Sequence, residues 1–188
     1  MTRAAGQNRG GFVLDAEGWV LGVRHVPSPN FDDRSSEGKV ELVVVHAISL
    51  PPNEFGDGHV DRLFTNSLDS AAHPFFAEIA GLRVSAHFLI TRDGQLTQYV
   101  SCLKRAWHAG VSSWRGRERC NDFSLGIELE GCDTLPFSEC QYATLSRLLE
   151  LLRDVFPVAE ILGHADIAPG RKTDPGPFFD WRRSALRP

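Results

Sequence analysis

Between residues 124 and 130 apolar and polar side chains alternate strictly: Leu125, Ile127 and Leu129 fall on one side, and Ser124, Gly126, Glu128 and Glu130 on the other. A period of two is that of a half-buried strand, so two carboxylates share its polar face. The β-branched run 40–46 reads instead as a buried central strand that ends in His46 and is stopped by Pro51 and Pro52. Further strands are expected over 84–91 and 95–100, joined as a hairpin by the turn residues Arg92, Asp93 and Gly94, and over 159–162, leading to His164.

The helical period is clearest over 139–155. Tyr142, Leu145, Leu148, Leu149, Leu152 and Val155 form its apolar stripe, Ser138 with Gln141 a capping box, and Phe137 with Tyr142 a hydrophobic staple. Shorter helical patterns lie near 59–66, 74–80 and 181–186, and 27–30, 32–38 and 51–58 read as loops. The segment 107–121, rich in Gly, Ser, Arg and Trp, is expected to be an irregular loop bordering a site. Strands and helices interleave without a regular βαβ repeat, which predicts an α/β fold: a mixed β-sheet packed with helices in a single domain. Residues 1–17 read as a flexible N-terminal tail and 18–188 as that domain.

Composition narrows the function classes. A chain of 188 residues can bury one real core, and its net charge of −4 argues against a nucleic-acid partner. Arg182, Arg183 and Arg187 read as a solvated face. No apolar run follows the charges at the N-terminus and no later run could span a bilayer, so the expectation is a cytoplasmic protein with no membrane partner, a monomer by default. Cys102, Cys120, Cys132 and Cys140 form no C-x-x-C pair and read as free thiols.

The candidate chemistry sits in the loop 163–176, which carries His164, Asp166, Lys172 and Asp174 among prolines and glycines. His164 and Asp174 suit zinc, and Lys172 would set a positive charge beside it. A catalytic zinc needs a third protein donor and an open position, and His46, where a rigid strand gives way to a loop, is the candidate. Taken singly, a strand-end histidine is more often a hydrogen-bonded core residue and an Asp before Pro a turn residue. It is the combination that points to a metal.

The segments 43–52, 82–90, 105–113, 121–131 and 163–176 resemble, in order and spacing, the AmpD-type family of cytoplasmic 1,6-anhydro-N-acetylmuramyl-L-alanine amidases, which shares its fold with peptidoglycan-recognition proteins. The resemblance runs from about Gly18 to about Leu186. It implies a Zn²⁺ held by His46, His164 and Asp174, with Glu128 as general base and acid; alternation alone allows Glu130 equally well. It further implies that Lys172 stabilises the oxyanion, and that Trp107, His108, Arg83, Arg119 and Arg171 contact a muropeptide substrate, through sugar stacking and carboxylate binding. By residue type alone Trp107 would be core packing and each arginine a solvated surface residue. His87, within an apolar run, reads as a core histidine. One departure stands out: the family commonly carries Asn after the first ligand histidine, where this chain has Ala47, so a hydrogen bond to substrate or to the groups behind the ligands is expected to be missing there, altering affinity while the metal site is kept.

The activity so implied is zinc-dependent hydrolysis of the amide between the lactyl group of anhydro-muramic acid and L-Ala in soluble fragments recycled from the cell wall. A noncatalytic muropeptide-binding module on the same fold would be expected to lose a metal ligand or the general base, and all those positions are filled. A cysteine hydrolase built on Cys102 or Cys120 with His108 has no supporting local motif.

Overall fold

The computed structural model describes residues 11–35 and 38–183. In chain order the elements are β1 (Arg24–His25), β2 (Phe31–Asp33), β3 (Leu42–Ile48), α1 (His59–Phe64), α2 (Pro74–Ile79), β4 (Phe88–Ile90), β5 (Leu96–Gln98) and β6 (Lys104–Ala106). There follow β7 (Ser113–Trp114), β8 (Arg117–Glu118), a 3₁₀ turn (Cys120–Asp122), β9 (Ser124–Glu130), α3 (Glu139–Val155), β10 (Glu160–Gly163) and α4 (His164–Ile167). Six strands form one sheet in the order β1-β5-β4-β9-β3-β10. Only β4 and β5, the expected hairpin, run antiparallel, so the sheet is mixed as the sequence predicts.

The two faces of the sheet are covered differently. Val43 and Val45 of β3, with Leu125, Ile127 and Leu129 of β9, pack against Leu145, Leu148, Leu149 and Leu152 of α3. Val155, at the end of the expected stripe, is left exposed where the helix runs past the sheet. On the opposite face Leu42 and Val44 meet Ala109, Trp114, Cys120, Phe123 and Ile167, so the segment around 107–123 and α4 form that layer. α1 and α2 close a third cluster around Phe64, Phe76 and Tyr99.

Helix α3 has the expected capping box, and its Gln141 does more. The buried amide donates from Nε2 to Ile90 O at 3.2 Å and Glu130 O at 2.9 Å, while its Oε1 accepts from Ser138 N at 3.0 Å. One side chain thereby satisfies the last carbonyls of β4 and β9 and ties the helix start to the end of the sheet that carries the site.

Four expectations change. The tail does not extend to residue 17: Phe12 is buried in the main core with the Arg147 guanidinium 4.4 Å from its ring centroid, and Leu14 bridges Val20. Asp15 Oδ1 closes that turn by accepting from Glu17 N and Trp19 N. The strand expected over 84–91 is regular only at β4, because Ser85 N and His87 N donate to Trp107 O and Gly126 O outside a regular ladder. Residues 32–33, expected in a loop, pair with β6, and Asp32 and Asp33 form ion pairs with Arg105 and Lys104. Residues 181–183 form a turn in place of the start of a helix, with Asp180 Oδ1 accepting from Arg182 N; 184–186 and Arg187 lie outside the described residues.

Candidate metal centre

β3, β9 and β10 are parallel, and β10 gives way to α4 level with His46. Their register pairs His46 with Glu128 and Gly163 with Val45, so His46, Glu128 and His164 gather at the carboxyl ends of three adjacent strands, where α/β sheets place ligands. The loop after His164 returns to the same point, since Ala165 N donates to Asp174 O at 2.9 Å. Gly163 is required at the bend: a Cβ there would lie 2.7 Å from Pro175 Cδ. Asp166 caps α4 by accepting from Gly163 N at 2.7 Å and forms no ion pair with Lys172.

Three donor atoms converge. His46 Nδ1 lies 3.0 Å from His164 Nδ1, and Asp174 Oδ2 is 3.1 Å from each. Donors bonded tetrahedrally to zinc lie about 3.3 Å apart, close to this triangle. His164 Nε2 faces Ala109 O at 3.1 Å; a carbonyl can only accept, so Nε2 carries the proton and Nδ1 offers a bare lone pair to the centre. Burial, first of all, lowers the His46 pKa to about 4, which keeps the ring neutral. Asp174 is pushed up by burial, but the two imidazoles outweigh this and hold it well below the ordinary carboxylate range. Lone pairs and a carboxylate facing one another at this distance suit a cation, and the residues fit zinc.

The two strand glutamates differ sharply in surroundings. Glu130 accepts from Gly56 N at 2.7 Å through one oxygen and from Arg92 N at 3.1 Å through the other, anchoring two loops. Glu128 Oε2 is buried with no hydrogen-bond partner among the described residues. Burial, reinforced by the Asp174 carboxylate, raises its pKa well above the usual range, with Lys172 opposing. Lys172 is exposed and lines a cleft with Ala47, Cys132 and Asp174, one of the three donor residues. Of the two strand glutamates, only Glu130 is held at both oxygens by backbone N–H groups.

A family model described as N-acetylmuramoyl-L-alanine amidase matches residues 36–177. The chain belongs to this amidase family. It is 59% identical over 173 residues, 91% of this chain and 94% of the relative, to the 1,6-anhydro-N-acetylmuramyl-L-alanine amidase AmpD of Escherichia coli (strain K12). A crystal structure of a selenomethionine AmpD derivative superposes with a TM-score of 0.90 at 56% identity, covering 93% of this chain and 99% of the other. The E. coli amidase AmiD, solved with the substrate anhydro-N-acetylmuramic acid-L-Ala-D-gamma-Glu-L-Lys, superposes with a TM-score of 0.57 at 29% identity, covering 92% of this chain and 63% of AmiD. The Drosophila peptidoglycan recognition protein SD shares the fold, with a TM-score of 0.55 at 18% identity over 82% of this chain and 89% of its own.

The residues expected to contact substrate differ in their surroundings. His108 does not face the cleft. It is buried behind His46, with its Nδ1 3.0 Å from His46 Nε2. Arg171 lines both the cleft and an adjoining groove, but its Nη2 is committed to Ala109 O at 2.8 Å and Val111 O at 2.7 Å, which braces the loop that receives His164. Arg119 lines the same groove, exposed and paired with Asp122 at 3.2 Å. Trp107 is half-buried beside His108, its backbone bonded both ways to Ser85. Arg83 is exposed, donates to Leu82 O at 3.2 Å, and makes no hydrogen bond or ion pair to the site. His87 is a core histidine: its Nδ1 accepts from Gly126 N at 3.0 Å. Cys102 is fully buried, and that burial pushes its thiol up to about 12, which disfavours it as a nucleophile.

Proposed function

We propose that this chain is a zinc-dependent amidase that hydrolyses the bond between the lactyl group of 1,6-anhydro-N-acetylmuramic acid and L-Ala in soluble muropeptides, a cytoplasmic step in cell-wall recycling. The observation that carries this reading is the convergence of His46 Nδ1, His164 Nδ1 and Asp174 Oδ2 beside an unpartnered Glu128, in a chain 59% identical to an enzyme of that name. His46, His164 and Asp174 would hold the zinc. When bound, the ion supplies Lewis acidity toward the scissile carbonyl and toward water.

The rest is done by the chain. Glu128 accepts a proton from the attacking water and returns it to the departing alanine nitrogen; its raised pKa suits both halves of that shuttle. Lys172 offers its ammonium to the carbonyl oxygen as negative charge develops there, a contribution of roughly 3 kcal/mol for a well-aimed donor. Arg119 and the free edge of the Arg171 guanidinium receive stem-peptide carboxylates along the groove that opens from the cleft, and Trp107 stacks on the sugar. Arg83 is the weakest member of this set, since nothing ties it to the cleft.

Elemental analysis combined with mass-spectrometric detection of cleaved anhydro-muropeptide tests the reading. One zinc per chain and release of the peptide are expected. Full activity in protein holding no metal would overturn it, and tight muropeptide binding without cleavage would favour a noncatalytic module.

A further inference from the structure

Behind His46 a line of polar side chains runs through the layer between the sheet and the 107–123 segment and ends on a backbone carbonyl. Cys120 O can only accept, so Ser124 Oγ, 2.6 Å away, donates its single proton there. The hydroxyl then has only lone pairs left for His108 Nε2 at 3.2 Å, and Nε2 must be the protonated nitrogen. His108 is buried, with no carboxylate bonded to it among the described residues, so the ring is in its neutral form and its Nδ1 is bare. That nitrogen accepts from His46 Nε2 at 3.0 Å, which puts the His46 proton on Nε2 and leaves Nδ1, the atom facing His164 and Asp174, as a free lone pair.

We infer that His108 is a positioning residue of the metal centre: with Ser124 it sets the ring orientation and the tautomer of His46, so that a lone pair and not an N–H is presented to the ion. This rests on the zinc reading proposed above.

The surroundings are shaped for that task. Gly126, on the polar face of β9, supplies the seat, because a Cβ there would lie 2.5 Å from His108 Cγ and 2.7 Å from its Nδ1. Asn121 Oδ1 accepts from both His108 N at 3.2 Å and Ala109 N at 2.8 Å, holding the backbone at the same height. The same clamp therefore serves both ligands, since Ala109 O is the acceptor that sets the tautomer of His164. The His108 ring meets His46 edge to face, at 5.1 Å between centroids and 85° between planes.

The test uses the full chain with three readouts. In metal-free wild type, long-range ¹H–¹⁵N spectra of the imidazoles are expected to show His46 protonated at Nε2; an Nδ1–H ring would overturn the inference whether or not zinc binds. His108→Phe keeps a ring but removes the acceptor, and is expected to weaken zinc binding 10- to 100-fold in chelator competition while the metal-free protein stays folded. His108→Asn, whose Oδ1 can stand near the Nδ1 position, should recover most of that loss. Zinc affinity in His108→Phe within about twofold of wild type, or no recovery in His108→Asn, would mean that His108 only packs. Should His108→Phe fail to fold, Ser124→Ala takes its place, with at least a several-fold loss of zinc affinity expected and an unchanged affinity counting against the inference. Failure of wild type to bind zinc at all would remove the proposed function, a result separable from the tautomer measurement.

Discussion

His46 and Glu128 are register partners on adjacent parallel strands, so the nitrogen that faces the metal position and the carboxylate proposed to move the proton are held by one stretch of backbone ladder. Asp174 reaches the same point on the loop after α4, where Ala165 N donates to Asp174 O.

Loss of a donor should abolish the site. His164→Ala leaves two protein ligands, too few to hold a catalytic ion, and zinc content and hydrolysis are expected to vanish together. Metal analysis after gel filtration checks the first, and retention of activity without zinc would contradict the reading.

The glutamates should part company in opposite directions. Glu128→Gln replaces a half-buried carboxylate whose Oε2 has no hydrogen-bond partner among the described residues, so the protein should stay stable and keep its zinc while kcat drops by roughly 10² to 10⁴. Glu130→Gln offers one amide oxygen where two backbone N–H groups need acceptors, and about 1–3 kcal/mol of stability should be lost with a smaller effect on kcat. Urea midpoints and single-turnover rates measured on both variants decide the assignment.

Ala47 stands in the cleft wall with Lys172 and Asp174. Ala47→Asn should add a hydrogen bond to bound substrate worth about 1 kcal/mol, lowering KM around fivefold with zinc content unchanged. An unchanged KM would show that the asparagine common in the family contributes nothing here.

The metal-free protein should weaken toward acid pH. The His46 pKa is lowered to about 4 and those of His87 and His108 lie well below their ordinary value, in each case chiefly through burial. The unfolded chain therefore takes up protons first, and stability falls as pH drops from the unfolded value of about 6.5 through the folded ones. For His46 that window ends near 4 and is worth ~3 kcal/mol. Glu128 acts in the reverse sense: its folded pKa is raised, so its contribution is present at low pH and lost as pH rises through the folded value. Three histidines against one carboxyl should leave a net decline, read as a falling urea midpoint between about pH 7 and pH 4; a flat profile would contradict it.

What the sequence determined by itself is what short-range periodicity and local chemistry control. The stripe and capping box of α3, the alternation of β9, the β4–β5 hairpin and the β3 run ending in His46 are each encoded within one short stretch of chain, because helix and strand periods repeat on that scale. The donor types His46, His164 and Asp174 were legible too, through their chemistry and the resemblance of the surrounding motifs. Only the tertiary structure decided which of two glutamates on one strand face is free, since alternation gives the face and not what packs on it: loops carrying Gly56 and Arg92 occupy Glu130 and leave Glu128 open. The same holds for His108, whose neighbours in sequence suggest a cleft residue but whose seat on Gly126 puts it behind His46, and for Phe12, which joins the core by a contact with residues far along the chain. Such placements depend on contacts between segments well separated along the chain, and no local pattern records them.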